Sequence, residues 1–223
     1  MKVSINIPDS LAEITLEQYI QFNKIVETNK DDPNAERFLQ LKMLEIFCGL
    51  PYADAIKYKY TDVVDITNHL SNLLSQKPEL VRTFKMGGKE FAFVPKIDDL
   101  NFDEYTTIDT NIGDLNTMHI AMAVLYRPIK VGNLKTGYEL EEYEIKKYWD
   151  AMKQMPLDAM LSAVVFFYEL ANELMKVTRS YLEEMLTDQN FRQEVSLVEN
   201  GIGILHSLES LMGTLRNMPV SLN

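Results

Sequence analysis

Cysteine is nearly absent from this chain of 223 residues, in which Cys48 is the single example. One cysteine allows no disulfide within the chain, and this composition fits a reducing compartment. Cys48 directly precedes Gly49 at the end of an apolar segment and has no basic neighbour that would favour a reactive thiolate. We therefore interpret Cys48 as a packing residue.

Positive charge is also scarce. The chain has 22 lysines and arginines against 33 aspartates and glutamates, and its formal net charge is −11. Lysines between residues 146 and 153 are interleaved with the acids of residues 141–150. Because binding to phosphates requires a concentrated positive patch, the sequence predicts no nucleic-acid partner. The acidic surface instead favours solubility.

No apolar run is long enough to cross a bilayer. The longest, Ala159–Met175, is interrupted by Glu169 and Glu173, whereas a spanning helix needs about 20 predominantly apolar residues. This segment predicts a buried helix, and we expect no membrane association. The start "MKVSINIPDS" lacks the apolar centre of a signal peptide, so we expect the chain to fold in the cytosol.

Recognisable catalytic motifs are missing as well. The sequence has no G-x-S-x-G, no P-loop, no dinucleotide-binding G-x-G-x-x-G and no metal-ligand spacing of Cys or His. His119 lies in an apolar run, which indicates a core or interface histidine, and His69 follows Asp65 at the i,i+4 spacing of a surface pair. We therefore expect no enzyme, with no catalytic residue, no cofactor and no metal. A small metal-dependent hydrolase using Asp65 and His69 is the alternative from a different class.

Hydrophobic periodicity predicts mostly helices. Alternation at residues 3–7 predicts a strand, and Gly87-Gly88 between two alternating runs predicts a tight hairpin over residues 81–94. Helical spacing accounts for most of the rest, including a long helix that begins after Pro156 and a final helical region at 190–216. The predicted fold class is mainly α with a small antiparallel β-sheet or hairpin.

The chain also reads as a degenerate internal repeat of strand, helix, helix and helix. "ITLEQY" at 14–19 corresponds to "LNFDEY" at 100–105, each with an N-cap residue, a Gln or Glu three residues later, and a Tyr expected to pack inward. Chance similarity between capped helices is the alternative. We expect one α-rich domain over residues 1–178, and a helical C-terminal extension over 179–223. The two copies of the repeat are expected at 2–76 and 89–178. The second copy contains a polar, irregular insertion at 129–155. The N-terminal strand is expected to join the hairpin in one small sheet.

The insertion and the residues before it are rich in aromatic side chains beside charges. Tyr, Trp and Arg are enriched at the energetic centres of protein interfaces. The candidate interface residues are therefore Tyr126, Arg127, Tyr138, Tyr143 and Trp149. The competing interpretation is that these side chains cover the second layer of helices. The 12 methionines are interpreted as core filler.

Residues 84–128 resemble proteins encoded in the structural gene modules of tailed bacteriophages. The resemblance lies in "GKEFAFVPKIDDLNFDEYTTIDT" and the following "MHIAMAVLYRPI". In that group a GK-x-aromatic-x-F strand precedes a capped helix and a second helix that ends in MAVLYRP. The resemblance implies a tail-assembly or virion-associated component whose partners are other tail or connector proteins and copies of itself. Its implied location is the virion, or the host cytoplasm during assembly.

The function expected from the sequence is thus a non-enzymatic structural or morphogenesis protein of a phage tail or connector. Within this class, a virion component stays in the particle, whereas a tail assembly chaperone leaves it. A host-directed adaptor is a further alternative, and it would have a defined host partner.

Overall fold

A computed structural model describes residues 5–96 and 99–187 of the chain. The α-helices are α1 (Leu16–Asn29), α2 (Ala35–Phe47), α3 (Tyr52–Ala55), α4 (Tyr60–Leu74), α5 (Phe102–Asn111), α6 (Met118–Leu125) and α7 (Leu157–Thr187). The strands are β1 (Thr83–Met86), β2 (Lys89–Phe93), β3 (Tyr126–Asn133) and β4 (Gly137–Leu140), and short 3-10 helices occupy Leu11–Glu13 and Ala151–Gln154. The strands form one antiparallel sheet in the order β1-β2-β3-β4. The predicted fold class is confirmed.

Both predicted capping boxes are present. At the start of α1, the Thr15 hydroxyl accepts from the backbone N–H of Gln18, and the Gln18 side chain accepts from that of Thr15 at 2.9 Å. At the start of α5, Asn101 and Glu104 exchange the same pair of bonds at 3.0 and 2.9 Å. Each box satisfies two backbone donors that have no partner inside the helix.

The predicted hairpin joins β1 to β2 through a two-residue turn. Gly87 and Gly88 have φ angles of +56° and +75°, which glycine adopts without steric cost. Positive φ at both central residues matches the twist of the flanking strands. The register pairs Phe84 with Phe91, and their rings stack with centroids 5.5 Å apart.

The segment around Pro128 differs from the sequence expectation. We predicted a helix ending at this proline and an irregular insertion after it, but α6 ends at Leu125 and the chain enters β3 directly. Pro128 lies where β3 changes its partner from β2 to β4, and the register shifts between Ile129 and Val131. A proline has no N–H to donate, and its carbonyl accepts from Glu141 N at 2.9 Å. The first part of the predicted insertion therefore forms a hairpin that completes the sheet.

The N-terminal segment does not join the sheet in the part of the chain that the structure describes. Residues 5–8 have no regular secondary structure, and Val3 and Ser4 of the predicted strand lie outside the described residues. The His69 ring donates from Nε2 to the Pro8 carbonyl at 2.9 Å, which attaches this segment to α4. Its sequence alternation reflects contact with the core, since Ile5 and Ile7 are half-buried against it.

The proposed repeat is not reproduced in the packing. Helix α1 buries Leu16 and Tyr19, whereas at the matching positions of α5 Phe102 and Tyr105 are exposed. The expectation of an inward-packed Tyr in the second copy is therefore wrong for Tyr105. Duplication of residues 2–76 and 89–178 stays a prediction.

The boundary predicted at 178/179 coincides with no helix end, because α7 continues through it to Thr187. The predicted helical region at 190–216 lies outside the described residues. No described helix is both long and apolar enough to cross a membrane.

The core lies between the sheet, the helices α1, α2 and α6, and the first turns of α7. Two backbone bonds connect the start of α1 with the start of α7: Leu16 N donates to Met155 O at 3.0 Å and Leu157 N to Ile14 O at 2.8 Å. Met152, Met155 and Met160 are buried here, in agreement with their interpretation as core filler.

Candidate interaction surface

Tyr126 is a core residue. Its side chain is fully buried, and its hydroxyl lies 2.7 Å from the Val81 carbonyl and 3.2 Å from that of Ala159. The ring packs against Phe84 and Phe93 with centroids 5.2 Å away in both cases. Burial raises the pKa of this hydroxyl well above its usual value, so it remains a donor. Tyr126 therefore has no surface for a partner, which corrects the expectation for this residue.

Arg127 is engaged within the chain. Its guanidinium Nη1 lies 2.9 Å from Glu104 Oε1, and the two side chains are only 16% and 6% exposed. The pair connects the beginning of β3 to the capping box of α5. Its Nε is buried without a hydrogen-bond partner among the described residues. Because the charge of Arg127 is paired inside the chain, its role as an interface anchor is not supported by its position.

Tyr138 and the loop after β4 are tied to β2. The Tyr138 hydroxyl donates to the Phe93 carbonyl at 2.8 Å. Lys89 Nζ lies 3.0 Å from Glu141 and 2.9 Å from the Tyr148 hydroxyl, which in turn donates to Glu141 at 2.7 Å. The hydrogen bonds from Tyr148 and then Lys89 hold the pKa of Glu141 below its usual range. These bonds fix the segment against the sheet.

Tyr143 and Trp149 are half-buried against the core. Within the described residues, the Tyr143 hydroxyl and the Trp149 indole N–H are buried without a hydrogen-bond partner. Lys146 Nζ lies 5.9 Å from the Trp149 ring centroid, within reach of a cation–π interaction. These two side chains pack against the core. Their use by a partner stays a prediction.

Among the described residues, no hydrogen bond joins Asp65 to His69, the two residues of the hydrolase alternative. His69 binds the N-terminal segment instead. His119 is buried, its Nδ1 has no partner among the described residues, and burial lowers its pKa. Burial raises the pKa of Cys48 to about 11, which keeps the thiol protonated. The described residues contain no group of three or more His, Cys, Asp or Glu side chains that could hold a metal ion.

Two exposed aromatic side chains that sequence reasoning missed lie on α5. Phe102 is 84% exposed and Tyr105 is 59% exposed. Residues three apart on a helix are neighbours on its surface, so the two rings form one patch. Large exposed apolar groups that lie together mark interaction sites more often than scattered ones do. We call Phe102 and Tyr105 the α5 patch.

The helical spacing of residues 102–108 indicates two faces of α5, and the sequence predicts that Tyr105 lies on the buried one. Helical spacing places Glu104 and Ile108 together on one side, and Phe102 and Tyr105 on another. The prediction that Tyr105 packs inward follows from its analogy with Tyr19. Glu104 is buried instead because Arg127 supplies its partner, and this contact spans 23 residues of sequence.

Comparison of the chain with models of protein families, with curated proteins and with solved structures gives no match.

Proposed function

We propose that this chain is a non-enzymatic structural or morphogenesis protein of a tailed bacteriophage, which acts by binding other tail or connector proteins and copies of itself. The observation that carries the proposal is the α5 patch, in which Phe102 and Tyr105 present two large rings to solvent on one helix face. The patch lies within residues 84–128, the segment that resembles the phage proteins.

The construction of α5 favours a rigid binding surface. A capping box fixes the first turn, and the buried pair of Glu104 and Arg127 attaches that turn to β3. Ile108 and Ile112 anchor the other end in the core. Aromatic side chains on a fixed backbone lose little conformational entropy on binding, which is the property of interface anchors.

Quantitative mass spectrometry of purified particles tests the assignment to the virion. The particles come from the phage that encodes this chain. A fixed copy number, particularly a multiple of six, is expected for a built-in ring or tail component. Absence from particles together with abundance in infected cells points to a tail assembly chaperone or another non-virion role. Absence from both contradicts the proposal.

Substitution of the α5 patch tests the surface itself. We expect Phe102→Ala and Tyr105→Ala each to weaken assembly by about 2 kcal/mol, or about 30-fold in Kd, because truncation of an aromatic anchor has that effect. Alanine is also the better helix former, so α5 is retained. The readout is incorporation of the variant into particles formed in competition with the wild-type chain.

The matched controls are Ile145→Ala and Val131→Ala, which remove exposed apolar side chains outside α5. We expect both controls to be incorporated like the wild type. Equal incorporation of controls and α5 variants would rule out the patch as the assembly surface, whatever the particle analysis shows.

A further inference from the structure

A second uncovered apolar surface lies where α2, α3 and α4 meet. Ile56 and Tyr60 are 57% and 67% exposed, and both line a hollow of about 220 Å³. Ala55 and Val63, which are buried, also line it, together with Arg37. We call it the α2–α4 hollow. A cavity of about 150 Å³ holds a benzene molecule, so this hollow has room for one phenyl ring.

The charges at the α2–α4 hollow are positive. Within residues 37–60, each of the two acids is paired with a lysine of the same chain. Arg37 lines the hollow and Lys59 lies between two tyrosines that line it, and neither base has an ion-pair partner in the described part of the chain. The nearest acids along the chain, Glu36 and Asp62, are not among the residues that line the hollow. The hollow thus combines apolar walls with unpaired positive charge.

The α5 patch carries the opposite charge. Asp109 follows Tyr105 by four residues and Phe102 by seven, so the three lie on one face of α5. Asp103 and Asp109 are exposed, and neither has an ion-pair partner among the residues that the structure describes. Residues 97–126 contain no lysine or arginine. A surface that complements the α5 patch is therefore apolar and positively charged.

We propose that the α5 patch of one chain docks into the α2–α4 hollow of a second copy, with Phe102 as the side chain that enters the hollow. The inference rests on the proposed function, because it names a copy of the chain as the partner of the α5 patch. Phe102 is 84% exposed, so its ring projects far enough to be buried by another surface. Arg37 and Lys59 of the hollow then face Asp103 and Asp109 of the other copy.

The charges favour this head-to-tail contact over a contact between two α5 patches. Two α5 patches facing each other would bring Asp103 and Asp109 against like charges, which is unfavourable at an interface. A contact between two different surfaces leaves one patch and one hollow free at the ends of the assembly. Such contacts continue into a closed ring or a filament, which are the forms that a ring or tail component requires.

Two substitutions in the full chain each disable one surface. Phe102→Ala removes the ring from the α5 patch, and Ile56→Asp places a negative charge at the hollow. The matched control is Ile145→Asp, because Ile145 is 61% exposed and belongs to neither surface. In sedimentation velocity over a concentration series, we expect the wild type and the control to form oligomers. Phe102→Ala and Ile56→Asp should each weaken association at least about tenfold.

A mixture of the two impaired variants is the decisive measurement. The Phe102→Ala chain keeps its hollow, and the Ile56→Asp chain keeps its α5 patch. We therefore expect the equimolar mixture to form heterodimers with a Kd within about threefold of the wild-type contact. These heterodimers should grow no further, since both of their free surfaces are disabled.

Two outcomes would overturn the proposal. One is a wild-type chain that stays monomeric at millimolar concentration, and the other is a mixture that associates as weakly as the separate variants. In either case, a fixed copy number in purified particles would still support the proposed function, since other tail or connector proteins remain as partners. Absence of the chain from both particles and infected cells would contradict the proposed function, whatever sedimentation shows.

Discussion

Glu104 shows how much a single side chain contributes to this fold. One carboxylate oxygen accepts from Asn101 N in the capping box, and the other accepts from Arg127. The Glu104 side chain is only 6% exposed, so water solvates its charge little. Arg127 compensates that charge, and Glu104 compensates the charge of Arg127. Removing one partner of such a pair leaves a buried charge without compensation, which is more costly than the pair itself is stabilising.

We predict that Glu104→Ala lowers the free energy of unfolding by about 3–5 kcal/mol, because Arg127 is left buried and unpaired. Glu104→Gln is expected to lower the free energy of unfolding by less, since a Gln at this position still completes the capping box, as Gln18 does in α1. Urea unfolding at neutral pH measures both variants.

The matched control is Asp103→Asn, which removes a neighbouring carboxylate that is exposed. Its effect should stay within about 0.5 kcal/mol, as for most surface substitutions. If Glu104→Ala and Asp103→Asn are equally mild, the pair with Arg127 does not hold α5 to the sheet.

At the scale of the element, the β3–β4 hairpin depends on two glycines with different surroundings. Gly132 and Gly137 have φ angles of +90° and +87°, which side chains rarely adopt. A Cβ at Gly132 would lie 2.2 Å from the Gly137 carbonyl oxygen, whereas a Cβ at Gly137 would meet no atom within 4 Å. The backbone strain is therefore similar at both positions, and the steric conflict occurs only at Gly132.

We predict that Gly137→Ala costs about 1–2 kcal/mol, the usual penalty for a side chain in the left-handed region. Gly132→Ala should cost clearly more, because the clash is with backbone and the two strands must separate. Urea unfolding gives the difference, and hydrogen exchange of the β3 and β4 amides shows where the structure opens. Equal losses for the two variants would contradict the packing at Gly132.

At the scale of the whole molecule, Tyr126 connects the sheet to helix α7. It lies on β3, its ring packs against β1 and β2, and its hydroxyl reaches the Val81 carbonyl before β1 and the Ala159 carbonyl in α7. Ser162 extends this contact, accepting from Val81 N at 3.0 Å and donating to Ala159 O at 2.9 Å. Sheet and helices thus share one hydrogen-bonded junction.

We predict that Tyr126→Phe costs about 1 kcal/mol, because the Val81 carbonyl loses its donor while the Ala159 carbonyl keeps Ser162. Tyr126→Ala should cost about 3–5 kcal/mol through the cavity it leaves. Tyr105→Ala makes the same chemical change at an exposed position and should change stability by no more than about 0.5 kcal/mol. Thermal or urea unfolding compares the three variants, and similar stability of both alanine variants would contradict the assignment of Tyr126 to the core.

Local sequence signals were sufficient for features made within a few residues. Each capping box spans four residues, and the turn at Gly87-Gly88 spans two, so composition and spacing determine them without the rest of the chain. The mainly α fold class follows from the same kind of periodicity. These predictions are confirmed.

The tertiary structure alone decided which face of each element is buried. Tyr19 and Tyr105 occupy the same position after a capping box, yet only Tyr19 is buried, because Arg127 draws Glu104 inward on α5. Pro128 lies in a strand because β2 and β4 pair with different halves of β3, a partner change that local pattern does not contain. Tyr126, which the sequence placed in the predicted interface, lies in the core for the same reason, since its burial depends on contacts with Phe84, Phe93 and α7. Burial is a property of contacts between distant segments, and a single helix or strand carries only its own periodicity.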